Sequence, residues 1–144
     1  MPAKAESADV VRAKKKLGTL IAKCRGKNMS QRRLAEAVDL PPSNMKYIED
    51  GINCPTANVY SKLISVLKPS PIKRTELDQA YMIIRNTPPP DVCDRVKKDP
   101  HLMNIIRAMD NTPLTESQAQ QIMELLGSFA TEKTKGEQNN GKTI

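Results

Sequence analysis

The chain has no tryptophan, one phenylalanine and three tyrosines in 144 residues. Its core must therefore rest mainly on Leu, Ile, Val, Met and Ala. Such a core is modest, and small subdomains built this way borrow stability from a partner surface. No apolar run approaches the ~20 residues that cross a bilayer, so no membrane span is expected. The opening MPAKAESADVVRAKKK is charged throughout and lacks the apolar centre of an export signal, which points to a cytoplasmic protein. Cys24, Cys54 and Cys93 are far apart and odd in number, so reduced thiols are expected and a disulfide frame is not. His101 is the only histidine, and there is no Cys-x-x-Cys. Neither a metal site nor a nucleophile–base pair can be assembled from that set. No phosphate loop and no glycine-rich dinucleotide turn occurs. Glu49 and Asp50 are adjacent, so on a helix their carboxylates point apart. Neither an enzyme nor a cofactor is expected.

What is present is positive charge, unevenly placed. The net formal charge is +7. Residues 1–75 hold 15 Lys/Arg against 6 Asp/Glu, a balance of +9, and residues 76–144 hold 8 against 10, a balance of −2. A basic half is steered toward polyanions and gains affinity by releasing phosphate counterions. Lys14, Lys15 and Lys16 belong to that half, either as a solvated face or as phosphate contacts.

Apolar periodicity of about 3.6 residues recurs along the chain and no strand pattern appears, so an all-α fold is expected. Helices are expected over residues 9–27, 31–38, 42–49, 57–67 and 71–85, with Ser30, Thr56 and Ser70 as caps. Pro42 and Pro71 fall at first-turn positions, where proline is accepted. Gly51 closes the helix at 42–49. The run Asn86-Thr-Pro-Pro-Pro90 reads as an extended spacer and a domain boundary. Beyond it, helices are expected over 91–98, 100–109 and 116–129, with Thr115 and Gln118 as a capping box. The expected layout is a basic arm and helix start (1–16), a five-helix domain (17–85), a linker (86–90), a small three-helix C-terminal domain (91–129) and a disordered tail (130–144).

The most informative stretch is SQRRLAEAVDLPPSNMKYIEDG, residues 30–51. It reads as two short helices joined by a tight turn. Leu34, Val38, Met45 and Ile48 face inward, Ala35 is small where the helices cross, and Ser43, Asn44, Lys46 and Tyr47 face solvent. A helix that hides one side and shows hydrogen-bonding groups on the other can enter a major groove. Ser30-Gln31, Leu34-Ala35, Ile48-Glu49, Gly51 and Pro55-Thr56 together resemble the helix-turn-helix of the Xre family, the Cro and phage-repressor type, over residues 17–85.

That resemblance implies a sequence-specific transcriptional regulator, a repressor, bound to double-stranded DNA. By resemblance Asp39 stands in the left-handed turn where the family usually has Gly, Gln31 contacts a phosphate and braces the recognition helix, and Glu49 is a structural end-of-helix residue. The base-reading positions fall on Pro42, Ser43, Lys46 and Tyr47, with Asn44 beside them, and Arg32 joins the DNA-binding set. Pro42 offers only shape or an apolar contact. Lys46 suits guanine, and Asn44 suits adenine if it faces the groove. Each good contact is worth about 1–3 kcal/mol, so one copy binds weakly and a homodimer on a palindromic operator is expected. Residues 91–129 are assigned to that dimer. The competing reading is an antitoxin- or coactivator-like interaction module on a degenerate helix-turn-helix with only non-specific DNA affinity. KKDPHLMNIIRAMDNTPLTESQ is also similar in layout to the tails of repressors inactivated by a metallopeptidase, which implies a cut within Ile105–Ala108. A metallopeptidase or antirepressor is thus a further expected partner.

Overall fold

The computed structural model describes residues 6–140, and among them there are eight helices and no strand. In chain order these are α1 (Ala8–Arg25), α2 (Gln31–Ala37), α3 (Pro42–Glu49), α4 (Ala57–Leu67), α5 (Pro71–Arg85), α6 (Pro90–Lys98), α7 (Pro100–Ala108) and α8 (Glu116–Asn140). Residues 1–5 of the expected N-terminal arm lie outside the described residues, as do residues 141–144 of the expected tail.

Local chemistry sets most boundaries. The side chains of Ser7, Ser30, Thr56 and Ser70 accept hydrogen bonds from the backbone N–H groups of Val10, Arg33, Val59 and Lys73 and start α1, α2, α4 and α5. Thr115 and Gln118 exchange bonds of 3.0 and 3.1 Å, the reciprocal box expected at α8. α1 stops at Gly26, whose φ of +63° closes the helix onto the Ala22 carbonyl, two residues before the expected end. Asp39 does take the left-handed conformation (φ 58°), and so do Lys68 (φ 46°) and Asn86 (φ 52°) at the ends of α4 and α5. Lys62 Nζ holds the Asp39 carboxylate at 3.0 Å across the turn.

The core joins α1 to α5. Leu17 and Ile21 meet Leu34, Ala35 and Val38 of the α2 stretch, Met45 and Ile48 of α3, Leu63 of α4, and Leu77 of α5. Two tyrosines join them: Tyr60 and Tyr81 are buried and stacked, with ring centroids 4.2 Å apart. These two rings are the largest fully buried side chains, in a core that otherwise rests on Leu, Ile, Val, Met and Ala. The Tyr60 hydroxyl donates to Asp78 at 2.5 Å, which satisfies the polar end of a buried ring. Arg85 donates to the Cys54 and Pro55 carbonyls at 3.0 Å each and ties the end of α5 to the loop before α4.

The proline run does not act as a spacer. Pro89 is buried, Pro90 opens α6, and Asp91 pairs with Arg74 at 3.2 Å. Proline's fixed φ suits the first turn of a helix as well as it suits an extended strand. The chain divides into two compact units, Met1–Pro100 and His101–Ile144. The first unit therefore holds six helices, and α6 belongs with the expected five-helix domain, not with the C-terminal segment. In the second unit, α8 runs on past the expected end at Phe129 to Asn140, through residues expected to form a disordered tail. Glu and Lys in that stretch favour a helix even without an apolar stripe.

Candidate nucleic-acid interface

α3 is only eight residues long, too short to stand alone in water. Three anchors hold it. Met45 and Ile48, one turn apart, are 0% and 4% exposed and drive one side into the core. The second anchor is a close crossing with α1. A methyl at Gly18 would stand 2.5 Å from the Ile48 carbonyl oxygen and closer still to that of Glu49. Gly51, at φ +77°, faces the Lys15 backbone, where a methyl would stand 2.7 Å from Cα. Two backbones thus meet directly at the last turn of α3. The third anchor is Glu49, whose side chain is 5% exposed. Arg25 Nε donates to it at 2.7 Å, and the Gln31 side-chain amide donates to its other oxygen. Arg25 also donates to the Met29 carbonyl at 2.9 Å. One carboxylate therefore joins the end of α1, the start of α2 and the end of α3.

With those anchors made, α3 turns Pro42, Ser43, Asn44, Lys46 and Tyr47 to solvent. Ser43, Lys46 and Tyr47 share one face at helical spacing, opposite Met45 and Ile48. Tyr47 is 45% exposed, and Lys46 makes no ion pair among the described residues. Asn44 lies to one side, where it borders a shallow recess with Leu40, Asn53 and Val59. α3 opens on Pro41 and Pro42, so no side-chain cap forms there. Pro42 also brings no N–H to that end.

Gln31 and Arg32 stand at the first turn of α2. Gln31 is half-buried and its amide turns inward to Glu49 at the end of α3. Arg32 is exposed and lies 3.7 Å from Glu36, a surface pair that holds it loosely. The seven residues singled out from sequence are thus gathered at α2 and α3 of one unit. Gly18 and Arg25 were not among them. The signal for Gly18 was present: glycine inside a helix costs about 1 kcal/mol against alanine and calls for a packing reason.

The three cysteines are free and half-buried, and burial pushes the Cys54 thiol up from its ordinary pKa. Among the described residues, no three His, Cys, Asp or Glu side chains gather as a metal site, and no helix is long and apolar enough to cross a membrane. Compared with family models, curated proteins and solved structures, the chain matches none.

Proposed function

We propose that this chain is a sequence-specific DNA-binding transcriptional regulator, a repressor that reads a palindromic operator as a homodimer. The observation that carries the reading is the two-sidedness of α3. Its inner residues Met45 and Ile48 are packed in the core, and its outer polar side chains Ser43, Lys46 and Tyr47 are exposed and make no ion pair among the described residues. In this reading α3 enters the major groove, Lys46 donates to guanine, Ser43 and Tyr47 lie beside it, and Pro42 makes an apolar contact. Gln31 and Arg32 meet the backbone phosphates at the N-terminus of α2. Charge supports the same assignment. The first unit carries 19 Lys/Arg against 11 Asp/Glu, a balance of +8, while the second carries 4 against 5, a balance of −1. Non-specific attraction to phosphate therefore falls on the unit that contains α3.

Selection from random duplex DNA, with sequencing of the bound pool, tests this. The expected result is an enriched palindrome with half-sites about one helical turn apart. Recovery of no common sequence, with affinity that falls steeply with salt, would replace it with the second reading. That second reading is a protein-interaction module on a degenerate helix-turn-helix. The two prolines at the start of α3, which bring no N–H, and the exposed Asp50 at its other end favour that alternative.

A further inference from the structure

Three lysines stand in a row on α1, and only one of them turns inward. Lys15 and Lys16 are exposed, while the side chain of Lys14 is 14% exposed. Val10, Lys14, Leu17 and Ile21 share one face of α1 at helical spacing. Lys14 thus holds a place that the apolar stripe would give to a hydrophobic residue. A cation set there costs stability unless an anion meets it. Lys14 lines an open pocket of about 370 Å³ formed by the start of α1, the loop after α3 and the end of α5. Arg85 lines it too. One guanidinium nitrogen of Arg85 donates to the Cys54 and Pro55 carbonyls, and no carboxylate pairs with it among the described residues. Asn53, exposed on the same wall, carries a side-chain amide. The one carboxylate there is that of Glu6, half exposed, which accepts from Lys14. Cys54 adds no second anion, because burial pushes its thiol up from the ordinary pKa against the pull of Arg85 and Lys14. Two cations therefore face one carboxylate.

We propose that this pocket binds a small phosphate dianion, as inorganic phosphate or as the phosphoryl group of a small phosphomonoester, and that the ligand displaces Glu6 from Lys14. Charge sets the class. A monocarboxylate only repeats what Glu6 already does and leaves one cation unmet. A tetrahedral dianion offers one oxygen to Lys14, another to Arg85 and a third to the Asn53 amide, and it neutralises both cations. The recess sets the source. Lys14 is withdrawn behind Glu6, where a free phosphate reaches it and the convex backbone of a duplex does not. The inference uses no property of α3 and stands apart from the DNA-binding reading.

Isothermal titration of the full chain with inorganic phosphate, in chloride at constant ionic strength and at about pH 8, above the second phosphate pKa, tests the proposal. One saturable site per chain is expected, and acetate should bind far more weakly. Glu6→Gln, which removes the competing carboxylate at a half-exposed position, should tighten phosphate severalfold. Lys14→Gln should weaken it about tenfold or more, the loss of one charge-assisted hydrogen bond, with far-UV circular dichroism verifying its helix content. Absence of a saturable heat at millimolar phosphate overturns the site. Acetate binding as tight as phosphate overturns the dianion, and an unchanged affinity in Glu6→Gln overturns the displacement. A second arm uses random duplex. If phosphate gives no heat while Lys14→Gln flattens the salt dependence of duplex binding, the pocket serves the DNA backbone and the free ligand is overturned. Because the titration contains no duplex, failure of the DNA-binding reading leaves its result unchanged.

Discussion

Gly18→Ala should destabilise the protein even though alanine is the better helix former. The new methyl would stand 2.5 Å from the Ile48 carbonyl oxygen and 2.8 Å from the Glu49 carbonyl carbon. An ordinary carbon–oxygen contact is about 3.3–3.6 Å, so α1 and α3 must part by roughly 0.8 Å or more. Both obstructing atoms are backbone, and the space cannot be made by turning a side chain. Leu17 and Ile21 share their core with Met45 and Ile48, so the separation loosens packing at all four. Overpacking costs about 3 kcal/mol at the upper end of its usual range, and the helix propensity of alanine returns about 1. The net loss of about 2 kcal/mol lowers Tm by about 10 °C in a domain of this size. Gly127→Ala is the matched control, since nothing lies within 4 Å of a methyl there. It should leave Tm unchanged or raise it. Urea and thermal melts of both variants measure the difference. If Gly18→Ala is as stable as the wild type, the close crossing of α1 and α3 is wrong, and the seat assigned to α3 is wrong with it.

Lys46→Ala should weaken binding to the selected operator by about 1–3 kcal/mol and binding to random duplex by much less; equal losses in fluorescence anisotropy would mean that Lys46 meets phosphate only. A chain ending at Pro100 keeps α6 on its Arg74–Asp91 pair, but it should be monomeric and bind the palindrome about tenfold more weakly or worse. Persistence of dimer mass in the ultracentrifuge would move the dimer contact into the first unit. Burial, then the bond to Asp78, push the Tyr60 hydroxyl well above the usual tyrosine pKa. The protonated ring is therefore the form the fold favours. Its contribution is whole below about pH 10, where the unfolded chain titrates, and drains away above it. Tyr60→Phe should flatten the fall of the urea midpoint between about pH 9 and pH 11, and an unchanged slope would show that the hydroxyl is not held by the fold.

The helices were legible because their punctuation is local. Ser30, Thr56 and Ser70 each sit one residue before an apolar period, and Pro42 and Pro71 mark first turns that need no N–H. Contacts between distant segments were less legible. Gly18 and Glu49 lie on helices separated by α2 in sequence, and nothing in the alternation of apolar residues says that their backbones touch. The boundary at 86–90 failed for a related reason: proline fixes its own φ but leaves the next residues free, and Pro90 serves a helix start as well as a spacer. Only the pairing of Asp91 with Arg74 and the burial of Pro89 decide between the two. At the candidate interface, the exposed residues of α3 are dictated directly by the burial of Met45 and Ile48. The inward turn of Gln31 depends on a carboxylate eighteen positions away.

The junction of Arg25, Gln31 and Glu49 bears on how this surface behaves before it meets anything. A two-turn helix left to itself would flicker between coil and helix, and a ligand would have to halt that motion at a cost in entropy. With its last residue clamped between the ends of two other helices, α3 opens only when the whole unit does, so its amides should exchange with solvent as slowly as those of the core. The chain has met the cost of ordering this surface while folding, and contact energy made there goes to affinity.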